Sequence, residues 1–62
     1  MKEYHSASAK DTIKTYKYNK KFCICCIHED GTVITGQYIT ADKANEVFKA
    51  YKKRYPDLVR IK

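Results

Sequence analysis

The chain has no long hydrophobic run. Its most apolar stretch, Phe22 to Ile27, is six residues, about a third of the length a helix needs to cross a bilayer. The first ten residues lack the apolar stretch of a secretory signal, so a cytoplasmic protein with no membrane partner is the expectation. Cysteines number three and crowd together as Cys23, Cys25 and Cys26. A disulfide scaffold would use an even set spread along the chain, so reduced thiols are expected. There is no glycine-rich phosphate loop, no zinc-protease helix motif and no G-x-S-x-G elbow. These absences argue against an enzyme and against a bound cofactor.

What is present fits one small domain. Sixty-two residues leave room for only a thin core. The 44% hydrophobic content is too high for a disordered tail, and 32% charged residues are too many for a membrane segment. Thirteen basic residues against seven acidic ones give a formal charge of +6, which suits a nucleic acid or an acidic protein surface.

Residues 1–11 show no hydrophobic period and read as a mobile N-terminal arm, leaving 12–62 as the compact domain. Thr12 to Tyr18 is rich in β-formers and lysines, as an exposed edge strand would be. Phe22 to His28 is apolar on both faces, the pattern of an inner strand, and Thr32 to Ile39 returns beside it. Asp30-Gly31 between them predicts a two-residue hairpin turn. Thr40 is placed to cap a helix, and Ala44, Val47, Phe48 and Tyr51 form one apolar stripe. Lys52, Lys53 and Arg54 suit the last turn, Pro56 prevents continuation, and Leu58 to Ile61 reads as a short final strand. The fold class is α+β: a three- or four-stranded, mainly antiparallel sheet in (β)ββαβ order with one helix packed on one face.

The turn sets the register. With Asp30-Gly31 at its centre, Ile27 pairs with Ile34, Cys25 with Gly36 and Cys23 with Tyr38 on one face. Gly36 leaves room there, so the helix is expected over that face. Phe22, Ile24, Cys26 and His28 then share the other face with Val33, Thr35, Gln37 and Ile39. An uncovered patch of Phe22, Ile24, Val33 and Ile39 would be a protein-binding surface, for another protein or a second copy of the chain. A one-residue slip would swap these assignments.

Cys23 and Cys26 have C-x-x-C spacing, with His28 nearby. Side chains alternate along a strand, so Cys23 and Cys25 point one way and Cys26 and His28 the other. One ion cannot easily collect all four, and buried apolar cysteines without metal are the expectation. His28 would need a nucleophile and an orienting group to act as a base; Glu29 and Asp30 are the local candidates, and both suit an exposed turn.

Two function classes follow. The first is a non-catalytic module acting by protein–protein interaction; by size analogy it extends to an inhibitor, of phage or mobile-element type, of a nucleic-acid-handling protein. The second is direct contact with nucleic-acid phosphates through Lys14, Lys17, Lys20 and Lys21, which interleave with Tyr16 and Tyr18, and through Lys49, Lys52, Lys53 and Arg54.

Overall fold

A computed structural model describes residues 1–62. Its elements are β1 (Lys2–Ser6), β2 (Asp11–Tyr18), β3 (Lys21–Ile27), β4 (Val33–Tyr38), α1 (Ala41–Arg54) and β5 (Val59–Arg60). The strands form one sheet in the order β4-β3-β2-β1-β5, and every neighbouring pair is antiparallel. The class is α+β, with α1 packed on one face of the sheet against β3 and β4. The sheet has five strands because residues 1–11, expected as an arm, contribute β1. That strand lies between β2 and β5, pairing Tyr4 with Ile13 and with Arg60.

Turn chemistry explains the meander. Asn19 and Lys20 both take positive φ, 50° and 62°, as a two-residue type I′ connection requires, and Tyr18 and Lys21 pair directly across it. The β3–β4 turn differs from the sequence expectation. Gly31 takes φ +90° while Asp30 does not enter the positive region. The Gly31 N–H donates to the His28 carbonyl at 2.9 Å, and the His28 N–H to the Thr32 carbonyl at 2.8 Å. The loop is therefore Glu29-Asp30-Gly31, three residues with glycine at the left-handed position. The Asp30 carboxylate holds the geometry by accepting from the Thr32 N–H at 2.9 Å.

The longer loop slips the register by one. Ile27 pairs with Val33, Cys26 with Ile34, Ile24 with Gly36 and Phe22 with Tyr38. Tyr38, Gly36 and Ile34 thus share a face with Phe22, Ile24 and Cys26, and this is the face α1 covers. The space above Gly36 is filled by the ring of Tyr38, two residues on, which a Cβ at Gly36 would meet.

Helix α1 begins at Thr40, whose hydroxyl accepts from the Lys43 N–H at 3.2 Å. It ends at Tyr55, whose N–H donates to the Tyr51 carbonyl, and Pro56 follows. The helix carries the chain across the sheet, so that β5 pairs with β1 at the edge away from β4. The core is Ile13, Ile24, Cys26, Ala44 and Tyr55, with Tyr4, Phe22, Phe48 and Leu58 packed around it. Tyr4 and Phe48 meet at 4.7 Å between ring centroids. Only nine of 62 residues are buried, so two polar clusters beneath the helix C-terminus weigh heavily in joining helix to sheet.

Candidate functional site

The first cluster gathers residues from three elements. Asp11 opens β2, Cys26 lies near the end of β3 with His28 just beyond it, and Tyr55 caps α1. The Tyr55 hydroxyl donates to Asp11 Oδ2 at 2.6 Å, and His28 Nδ1 lies 2.9 Å from the same oxygen. The Glu29 N–H donates to Asp11 Oδ1 at 3.0 Å. The Tyr55 hydrogen bond, with those of His28 and Glu29, holds the Asp11 carboxyl below the usual carboxylate range. An ionised carboxylate only accepts, so Nδ1 is the imidazole nitrogen that carries a proton. His28 Nε2 then faces Cys26 Sγ at 4.0 Å, and the Tyr55 oxygen lies 3.9 Å from that sulfur.

Thiol, imidazole and carboxylate stand here in the order of a nucleophile, its base and its orienter. Burial sets the cluster apart from a reactive site. Cys26 is 1% exposed, and burial pushes its thiol pKa up, whereas reactive thiols are accessible and favour the thiolate. Burial likewise raises the Tyr55 phenol, and the hydrogen bond to Asp11 adds to the shift.

The second cluster ties the chain after α1 to the β1–β2 turn. Asp57 accepts from the Ser6 hydroxyl at 2.7 Å and from the Ser8 N–H at 2.9 Å. These bonds lower its pKa to about 2.

The expected protein-binding patch is not one surface. Phe22 and Ile24 lie beneath α1, Ile24 at 3% exposure, and both line a cleft of about 350 Å³ with Tyr4, Ala44 and Phe48. Val33 stands on the opposite face of the sheet. Ile39 lies in the β4–α1 connection, 80% exposed. The physical reason is the register slip, which put α1 over the Phe22/Ile24 side. Apolar side chains stay exposed at both ends of the sheet: Val33 and Ile34 of β4 are each more than half exposed, on opposite faces, and so are Val59 and Ile61 at the β5 end.

The basic residues are divided. Lys14 and Lys21 belong to the uncovered face, on which Tyr16 and Tyr18 also stand; Lys14 pairs with Glu3 at 3.7 Å. Lys17 lies 5.2 Å from the Phe22 ring centroid on the helix side, and Lys20 sits in the β2–β3 turn. Lys49, Lys52, Lys53 and Arg54 are on α1, with Lys52 and Arg54 each 5.8 Å from an aromatic ring centroid, Phe48 and Tyr55 respectively.

All three cysteines are free and buried. Cys23 and Cys25 occupy the uncovered face, flanked by Tyr16 and Gln37 and by Lys14 and Thr35. Sequence reasoning grouped Cys26 with His28 through strand alternation. It missed Asp11 and Tyr55, which lie 17 residues from His28 and 44 from Asp11 along the chain. Local spacing carries no signal for such contacts. Comparison of the chain with protein-family models, curated proteins and solved structures finds no match.

Proposed function

We propose that the chain is a non-catalytic binding module that docks on a partner protein through β4, by pairing that edge with a strand of the partner. The observation that carries this reading is the chemistry of the edge. Gly31 to Ala41 is the longest uncharged stretch in the chain, and β4 ends the sheet with no strand beyond it. Exposed edges in monomeric proteins are commonly blunted by lysine, proline or a bulge. Here there is neither lysine nor proline, and the chain's lysines stand elsewhere. Main-chain pairing along such an edge supplies affinity, and alternate side chains supply specificity. Val33 would meet the partner on one face and Ile34 on the other.

Charge selects the partner. Two copies, each at +6, repel one another, whereas a partner with an acidic surface beside its own strand is attracted by that net positive charge. Such a module acts by occupancy, as an inhibitor does. The test is capture from nuclease-treated extract of the native host by wild type, Val33→Lys and Ile34→Glu. Both positions are exposed, so the variants should fold. An acidic protein retained by wild type, cross-linked at β4 and lost from both variants supports the reading. Equal retention by the variants, or retention that vanishes with nuclease, refutes it.

A second reading rests on the uncovered face, where Tyr16 and Tyr18 stand with Lys14 and Lys21. Exposed aromatics beside basic groups stack bases of single-stranded nucleic acid while the lysines hold phosphate.

A further inference from the structure

We propose that Cys26 and His28 are the protein ligands of a site for one zinc-class divalent cation, with Asp11 orienting the imidazole and the Tyr55 oxygen at a third corner. The ligand atoms offered by Asp11, Cys26 and His28 all lie within 4.8 Å of one another. Tetrahedral coordination with Zn–S about 2.3 Å and Zn–N about 2.0 Å places sulfur and nitrogen about 3.5 Å apart. Cys26 Sγ and His28 Nε2 are at 4.0 Å, so a rotation of a few tenths of an ångström at His28 closes the gap.

Nδ1 is engaged with Asp11, so Nε2, the ring nitrogen facing Cys26, is the one available to a metal. A carboxylate behind a ligating histidine is the common support in metal sites, where it sets both tautomer and ring orientation. Asp11 itself is engaged by Tyr55, His28 and Glu29, so it acts behind the ligands. Tyr55 donates its proton to Asp11 and keeps oxygen lone pairs on the sulfur side, at 3.9 Å.

Access runs past His28, whose side chain is 27% exposed, and water entering there completes the shell. The cation replaces the thiol proton of Cys26, which is released to solvent as the sulfur binds. Thiolate with imidazole favours zinc and its neighbours over magnesium or calcium, which prefer oxygen. Because the site joins β2, β3 and the end of α1, occupancy would also raise thermal stability.

The test is titration of the reduced full chain with Zn²⁺, followed by native mass spectrometry, and with Co²⁺, followed by its absorption. The expected result is one ion per chain, a thiolate-to-cobalt charge-transfer band in the near ultraviolet and a higher melting temperature with zinc. Cys26→Ser should abolish the band. His28→Gln, at a partly exposed position, should weaken zinc binding at least about tenfold. Cys25→Ser, on the other face, should leave both unchanged. No uptake by wild type, or uptake with the same band and affinity in His28→Gln, overturns the proposal.

Discussion

Asp11 accepts three hydrogen bonds: that from Tyr55 joins the end of the helix to the sheet, and those from the adjacent His28 and Glu29 join the start of β2 to the β3–β4 connection. Tyr55→Phe removes the shortest of them while keeping the ring that packs in the core. Hydrogen bonds to charged groups contribute about 1.5–3 kcal/mol, and that loss is expected in a urea or thermal unfolding measurement. The carboxylates also set the acid limit. Asp57, lowered to about 2 by Ser6 and Ser8, and Asp11, lowered chiefly by Tyr55, bind protons less readily folded than unfolded. Their contribution is complete above the ordinary carboxylate value of about 3.9 and is lost as pH falls through the folded values. The urea midpoint should therefore stay level near neutrality and fall below about pH 4, and Asp57→Asn should flatten part of that fall. His28 shows how far a residue's surroundings can be read from its neighbours in the chain. Strand alternation placed it beside Cys26, whereas its carboxylate partner is Asp11 and not Glu29 or Asp30.

The elements were legible where local chemistry dominates. Thr40 caps α1 as its hydroxyl permits, and Thr40→Ala is expected to cost about 1 kcal/mol, read as a lower unfolding midpoint with an unchanged folded spectrum. The apolar stripe of Ala44, Val47, Phe48 and Tyr51 faces the sheet as its spacing predicts. The hairpin shows the opposite case. Asp-Gly fits a two-residue and a three-residue loop alike, and the two differ by one step of register. That step separates Phe22 and Ile24, roofed by the helix, from Val33 on the opposite face, so the four expected docking residues share no one surface. The β1 strand was illegible for a related reason. Lys2 to Ser6 has weak propensity, and it forms because β2 and β5 offer backbone partners on both sides.

Across the whole molecule, the five-stranded sheet leaves one face uncovered and ends in two edges, the six-residue β4 and the two-residue β5. The uncovered face is polar and aromatic, while the β4 edge is uncharged and apolar, so the two surfaces suit different partners. If the open face binds nucleic acid, a labelled single-stranded oligonucleotide should bind at low salt and release steeply as salt rises. Tyr18→Ala should then weaken binding by about 1–3 kcal/mol. No mobility shift at low salt would remove that reading and leave the edge. The thin core makes the polar ties among helix, turn and sheet more important than they would be in a larger domain, since each holds elements that little apolar area joins.

By itself the chain's order of residues determined the class, the inner strand, the helix with both its ends and the shared side of Cys26 and His28. These depend on periodicity and on contacts a few residues apart, which composition and spacing encode directly. Only the tertiary structure decided the register of β4, the place of residues 1–11 in the sheet and the meeting of Asp11 with Tyr55. Those follow from backbone groups seeking partners and from a helix choosing between two faces, a competition settled by the sum of long-range contacts and by no single segment.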